Sequence, residues 1–132
     1  MSRTKSSLIR NRDYIKQVLS FEGLKRGNVY PSDIDAVIEL HNKHLILFEV
    51  KREGTIIPIG QKLMLERLVD SWNSINKIAS ALYVTHNTKH TEDIMLSECD
   101  IMEIYYLGKW VKVDKLKVVD FLNKYYKKYN YE

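Results

Sequence analysis

The sequence contains a single cysteine, Cys99, and no long apolar run. One thiol excludes an intramolecular disulfide, and a chain without disulfides is typical of a reducing, intracellular environment. No apolar run approaches the roughly 18 residues that a membrane-spanning helix requires. Residues 1–14 also lack the apolar segment of a secretory signal. From these absences we expect a cytoplasmic protein that has no membrane partner.

The sequence also lacks repeats, linkers and low-complexity segments, and its 132 residues predict one domain over residues 1–132. Hydrophobic residues make up 45% and charged residues 29%, and nine tyrosines and two tryptophans argue against disorder. The net charge is +4, from 21 Lys and Arg against 17 Asp and Glu. This mild basicity permits an anionic partner such as nucleic acid but does not require one.

The spacing of apolar residues predicts an α/β domain with a mixed central β-sheet flanked by helices. The predicted elements are a helix over about Leu8–Phe21, a hairpin over about 32–52, a helix from Pro58 to about 75, a strand at 77–86, a short helix at 92–98, two strands around Leu107–Gly108–Lys109, and a last helix that Asp114 caps. The predicted stripe of the second helix includes Leu65, Leu68, Trp72 and Ile75, and Gln61 stands at its start.

Charged side chains interrupt the apolar runs of the hairpin at Asp33, Asp35, Glu49 and Lys51. Acidic residues are poor strand formers, and an unpaired charge is costly to remove from water. Residues of equal parity share one face of a strand, and one face of this hairpin is entirely apolar. That face carries Ile34, Ala36, Ile38 and Leu40 in the first strand and Ile46, Phe48 and Val50 in the second. We therefore expect the acids and Lys51 to lie together on the other face.

The length of the turn decides whether the two acids meet. A two-residue turn at Asn42–Lys43 would put Asp35 and Glu49 on opposite faces of the hairpin. A three-residue loop, His41–Lys43, pairs Asp35 with Glu49 and also buries both strands consistently. The burial pattern therefore predicts an odd loop or a bulge.

Two facing carboxylates repel, and each is expected to raise the pKa of the other. A divalent cation removes that conflict, because Mg²⁺ is bound by one or two carboxylates together with phosphate oxygens and water. Lys51, on the same face, is placed to contact a phosphate or an attacking water. These groups suit metal-assisted hydrolysis of a phosphodiester.

The strings PSDID and FEVK resemble the motif of the PD-(D/E)xK nuclease superfamily, an acid in one strand followed by Glu-x-Lys in the next. The match is Asp35 with Glu49, Val50 and Lys51, although Asp33 is an alternative motif acid. The spacing is similar to that of Holliday-junction-resolvase-like members, and PIGQKLMLERLVD resembles small phage-type members. The resemblance covers about residues 20–75 and implies a restriction-endonuclease-like core, α-β-β-α-β, with extra C-terminal strands and a helix.

The resemblance implies a DNA endonuclease or exonuclease that uses Mg²⁺ or Mn²⁺, with DNA as partner and a homodimer as one arrangement. Asp35, Glu49 and the Val50 carbonyl would bind the metal, Lys51 would act on the phosphate or the water, and Gln61 would assist. The expected DNA contacts are Lys51, Arg52 and Lys62, and the candidate further acids are Asp33, Glu22 and Asp13.

Each assignment has an alternative. The charged residues of the hairpin could form a salt-bridge cluster on a solvated face, and Gln61 could contact the backbone at the start of its helix. The lysines of the last helix could be a solvated face or a DNA-backbone contact. The whole domain could be a non-catalytic DNA-binding module, or a subunit that is active only with a partner.

Overall fold

The computed structural model describes residues 19–29 and 31–131. The chain divides into two compact units, residues 1–32 and 33–132. Most of the predicted first helix lies outside the described residues; Leu19 is not helical and is 82% exposed rather than part of a buried stripe. In the first unit, Arg26 and Val29 exchange backbone hydrogen bonds around a tight turn. The prediction of a single domain over the whole chain stays a prediction.

The second unit is an α/β arrangement of five strands in one mixed sheet and two α-helices. The elements are β1 (Ala36–Leu40), β2 (His44–Arg52), α1 (Ile59–Trp72), β3 (Ile78–His86), β4 (Asp100–Tyr106), β5 (Lys109–Lys117) and α2 (Val118–Lys128). The strands lie in sequence order across the sheet; β2 and β3 are parallel, and the other neighbouring pairs are antiparallel. In the part of the chain that is described, no helix is long and apolar enough to span a membrane.

The hairpin of β1 and β2 has the predicted three-residue loop. Leu40 pairs with His44, so residues 41–43 form the connection. His41 and Asn42 both have positive φ, 50° and 59°, and the Lys43 N–H donates to the Leu40 carbonyl at 2.8 Å. Asparagine adopts this left-handed region more readily than most residues, which suits it to the turn. The register is therefore the one that brings residue 35 opposite residue 49.

Each face of the sheet is covered by one helix. On the face that we call the α1 face, helix α1 packs on strand residues of odd number from β2 and β3; the cluster is Leu47, Leu65, Val69, Ala79, Ala81 and Tyr105. On the opposite α2 face, the buried cluster is Ile46, Phe48, Leu82, Val84, Cys99, Ile101 and Val118. The apolar face of the hairpin thus meets a core, as predicted, and the charged face is also covered in part.

Three expectations about apolar residues are wrong. Ile34 precedes β1 and packs with the α1-face cluster rather than with Ala36, because the chain is not yet in the strand at that point. Helix α1 ends at Trp72, and the extended backbone of Asn73 terminates it, so Ile75 lies beyond the helix and is fully exposed. Leu68 is 40% exposed, because Leu65 and Val69 occupy the centre of the contact with the sheet.

The end of the sheet also differs from the prediction. Asp114 does not cap a helix, because β5 continues to Lys117 and its last residues pair with the start of β4. A register shift between Ile101 and Glu103 and a positive φ at Lys115 mark the bulged region. The predicted helix at 92–98 is only a 3₁₀ turn, Leu96–Glu98.

Candidate active site

Asp35 and Glu49 come together at one end of the hairpin. Glu49 lies in β2 with its side chain on the α1 face and is only 3% exposed. Asp35 immediately precedes β1 and is exposed. Because Ala36 pairs with Phe48, the next position along each strand places residue 35 against residue 49, and their carboxyl groups share a hydrogen bond. The predicted convergence of these two side chains is confirmed.

Asp35 has a second contact, with the backbone of β2. Its Oδ2 accepts a hydrogen bond from the Val50 N–H at 2.7 Å. If the ladder continued, that N–H would face Ile34, so the carboxylate replaces a strand carbonyl where β1 has not yet begun. A residue of an extended strand directs its N–H and its carbonyl to the same edge. The Val50 carbonyl therefore lies on the edge of β2 that also holds Asp35.

The carboxyl of Glu49 is difficult to ionise. Burial, the hydrogen bond with Asp35 and the negative charge of Asp35 raise its pKa to about 8. The prediction that the facing acids raise a pKa is confirmed for Glu49, although burial is the largest cause. A nearby cation would favour the ionised form of this carboxyl and so lower its pKa.

Two other charged residues of the hairpin lie within electrostatic reach of Glu49. Lys51 is two residues further along β2, on the same face and half-buried, and its positive charge partly opposes the rise in the pKa of Glu49. Asp33 is exposed and adds a smaller negative contribution. Among the described residues the arrangement is therefore three acids and one ammonium, not a set of balanced salt bridges on a wet face.

Gln61 lies in the first turn of α1 and turns inward. It shares a helix side with Leu65 and Val69, which pack on the sheet. Its Oε1 atom is buried, and no hydrogen-bond partner for it lies among residues 19–29 and 31–131. Buried amide oxygens normally have a protein or water partner. The structure thus leaves Gln61 with an acceptor that a water or a ligand can use.

The two residues predicted to accompany Lys51 in DNA contacts are held by neighbours. The Arg52 Nη2 atom donates to the Thr88 carbonyl at 2.7 Å. The Lys62 Nζ atom lies 4.9 Å from the centre of the Trp110 ring, in a cation–π arrangement. Both side chains are partly buried. Their roles toward DNA remain predictions, and either role would require these contacts to be shared or exchanged.

The other two candidate acids, Asp13 and Glu22, belong to the first unit. Asp13 lies outside the described residues. Glu22 is exposed in a turn, and its N–H donates to Ser20 Oγ at 3.1 Å.

Tyr83 was not identified from the sequence, yet it borders the site. It is the β3 neighbour of Glu49, is nearly buried, and donates its hydroxyl to the Thr55 carbonyl. This contact attaches the loop between β2 and α1 to the sheet. Burial, and then the charge of Glu103, raise the pKa of Tyr83, so the hydroxyl keeps its proton. The available signal was a tyrosine in a strand that is mainly apolar and buried.

The donors present fit a hard divalent cation. Asp35 and Glu49 offer carboxylate oxygens, and the Val50 carbonyl lies at the same edge. Oxygen donors of this kind, completed by water and substrate, suit Mg²⁺ or Mn²⁺. Among the described residues, no group of three or more His, Cys, Asp or Glu side chains is placed to hold a metal, so protein carboxylates alone would not complete the coordination.

Comparisons with protein-family models, with curated proteins and with solved structures found no match to this chain.

Proposed function

We propose that the protein is a DNA nuclease that depends on Mg²⁺ or Mn²⁺ and has a restriction-endonuclease-like core. The observation that carries the proposal is the Asp35–Glu49 pair, in which a buried carboxyl faces a second carboxyl and has its pKa raised to about 8. Such a pair is unfavourable without a cation, and strongly perturbed carboxyls are concentrated in functional sites. The resemblance of these residues to the PD-(D/E)xK motif supports the same activity.

Each residue of the site has a defined part in that reaction. Asp35 and Glu49 would hold the cation together with the Val50 carbonyl, and the bound cation would supply Lewis-acid activation of a water. Lys51 would stabilise the added negative charge on the phosphate as the water attacks. Gln61, whose buried Oε1 has no partner in the described part of the chain, would accept a hydrogen bond from that water and orient it.

The decisive experiment is cleavage of a panel of linear, circular, single-stranded and branched DNA with Mg²⁺ or Mn²⁺. We expect Lys51→Ala to lower the rate by about 10²- to 10³-fold, as removal of a transition-state contact does. Asp35→Asn separates the charge of Asp35 from its structural hydrogen bond. The amide oxygen can still accept from the Val50 N–H, while the charge is lost. Its cleavage should fall to background although its thermal unfolding stays close to that of the wild type.

Lys112→Ala is the matched control, since it removes an exposed lysine from β5 and should leave cleavage unchanged. The proposal fails if Asp35→Asn and Lys51→Ala both cleave as fast as the wild type, or if chelation of divalent ions has no effect.

A non-catalytic DNA-binding module is the second candidate, and one contact favours its non-catalytic part. The bond from the Val50 N–H to Asp35 already gives that carboxylate a structural role in starting the hairpin. Calorimetric titration with Mn²⁺ separates the two candidates. A binding module would take up no Mn²⁺ at the pair, and its DNA binding would be metal-independent and weakened by salt.

A further inference from the structure

A concave site lies on the α2 face, on the other side of the sheet from Glu49. It is a cavity of about 400 Å³ between the beginning of β3 and the last turns of α2. Its floor contains Ser80, and its walls include Tyr106, Phe121, Tyr125 and Tyr129. A volume of this order, a mainly apolar lining and a few polar groups are typical of small-molecule sites.

The floor of the cavity carries a polar group without a partner. Ser80 is 6% exposed, and its Oγ atom has no hydrogen-bond partner among the described residues. The next two residues on this face of β3 are Leu82 and Val84, both fully buried in the apolar cluster. Buried hydroxyls are normally hydrogen-bonded, and Ser80 is one of the residues that line the cavity.

The walls of the cavity are aromatic and held in place. The Tyr125 hydroxyl lies 2.7 Å from His44 Nδ1, so its ring is fixed by a partly buried hydrogen bond. Tyr129 packs at 4.9 Å from the Tyr125 ring, tilted by 52°, and Phe121 packs at 5.8 Å on the other side. Rings held in this way offer planar surfaces on which any heteroaromatic base can stack, because every base has a flat aromatic face.

The mouth of the cavity is positively charged. Lys124 and Lys128 line it, four residues apart on α2, and both are exposed. Lys128 Nζ also lies 5.3 Å from the centre of the Tyr129 ring, so the charge sits beside an aromatic wall. None of the described lining residues is acidic. The charge therefore favours a ligand with an anionic group next to its ring.

We propose that this cavity binds a nucleotide, with the base packed against the aromatic walls, a polar edge of the base hydrogen-bonded to Ser80 Oγ, and the phosphate at Lys124 and Lys128. Such a ligand matches all three features, since it combines a flat ring, hydrogen-bonding atoms and a phosphate. The site goes beyond the proposed nuclease activity and does not depend on it. A free mononucleotide and the terminal nucleotide of a DNA strand share this chemistry.

The test is an NMR titration of the full chain labelled with ¹⁵N, using dAMP, deoxyadenosine, inorganic phosphate and a trinucleotide with a 5′-phosphate. We expect saturable shifts at the amides of Ser80, Tyr106 and Tyr129 with dAMP, weaker binding of deoxyadenosine, and no such shifts with phosphate alone. Tighter binding of the trinucleotide than of dAMP would identify a strand end as the source, and the reverse would identify the free nucleotide.

Variants assign the contacts. Lys124→Ala should weaken dAMP about fivefold, as loss of one exposed charge contact does, and leave deoxyadenosine unchanged. Ser80→Ala should weaken both ligands about fivefold, as loss of one hydrogen bond does. Lys112→Ala is the charge-matched control outside the cavity. Glu49→Gln should bind dAMP like the wild type, which separates this site from the nuclease proposal.

The inference is overturned if no saturable shift is seen at millimolar dAMP, or if the shifts map to Glu49 and Lys51 instead of the α2 face. It is also overturned if phosphate alone reproduces the dAMP shifts, because the cavity would then contribute no recognition of the base. Circular dichroism of each variant guards against a loss of binding through unfolding.

Discussion

Strand β2 carries two buried titratable side chains. Burial disfavours the charged form of both, but their neighbouring groups differ. His44 stands at its beginning and Glu49 near its end, 6% and 3% exposed. Burial removes the charge from both, so the pKa of His44 is lowered and that of Glu49 is raised to about 8. Neutral His44 has a hydrogen bond with Tyr125, whereas Glu49 meets the carboxyl of Asp35. Both side chains have a hydrogen-bond partner, but only Glu49 has a partner whose negative charge opposes its ionisation.

The largest expected effect is the dependence of stability on pH at Glu49. Its pKa rises from the ordinary value of 4.5 to about 8 on folding, so between these values the folded state holds a proton that the unfolded state has lost. Stability is therefore fully present below about pH 4.5 and falls as the pH rises toward 8, by at most about 1.4 kcal/mol per pH unit. The slope should be smaller than this limit, because Asp35 is exposed and water screens the pair.

Urea unfolding of wild type and Glu49→Gln at several pH values measures this slope. The glutamine cannot ionise, so the difference in unfolding free energy between the two proteins should grow from pH 5 to pH 8 in favour of the variant. Mn²⁺ should restore stability to the wild type at pH 8 and have little effect on Glu49→Gln. Parallel pH profiles for the two proteins would show that Glu49 is not held protonated.

The second effect tests the hydrogen bond between Tyr125 and His44, the first residue of β2. Tyr125→Phe removes the hydroxyl that lies 2.7 Å from His44 Nδ1 and keeps the ring. A buried nitrogen left without a partner costs about 1–3 kcal/mol, and we expect a loss of that size in the unfolding free energy at pH 7. Because the pKa of His44 is lowered on folding, its contribution to stability should disappear as the pH falls below the ordinary value of 6.5.

Tyr126→Phe is the control for this variant. It removes the same hydroxyl from a half-buried position one residue further along α2, and should change stability by less than about 0.5 kcal/mol. Equal losses of unfolding free energy in the two variants would mean that the hydrogen bond to His44 does not stabilise the fold. The comparison of the two ends of β2 would then lose its basis.

The sequence was sufficient for those parts of the site that depend on neighbouring residues along a strand. Side-chain alternation and the apolar face of the hairpin predicted the three-residue loop, and the loop placed Asp35 against Glu49. The same alternation placed Lys51 beside them. These features are local, because register follows from a turn and a pattern with a period of two.

The features that the sequence did not predict depend on distant contacts. The 3% exposure of Glu49 requires elements that cover the α1 face, and the extension of β5 past Asp114 requires pairing with the start of β4. The bond between His44 and Tyr125 joins residues 81 positions apart. No sequence pattern predicts which residue of α2 contacts the first residue of β2, so only the structure could reveal this contact.

The smallest expected effect is at Ser80, and its sign is the opposite of that at Tyr125. Ser80→Ala removes a buried hydroxyl whose Oγ has no partner among residues 19–29 and 31–131, so no hydrogen bond is lost with it. The penalty for keeping that hydroxyl out of water disappears, and unfolding by urea should show unchanged stability or a gain of up to about 1 kcal/mol. A loss of more than about 1 kcal/mol would mean that the hydroxyl already has a partner in the free protein.

With dAMP present, the order of stability of wild type and Ser80→Ala should reverse, because a ligand that hydrogen-bonds to Ser80 stabilises the wild type more than the variant. Ser80 would then resemble Glu49 more than His44, as a buried polar group whose partner comes from outside the chain.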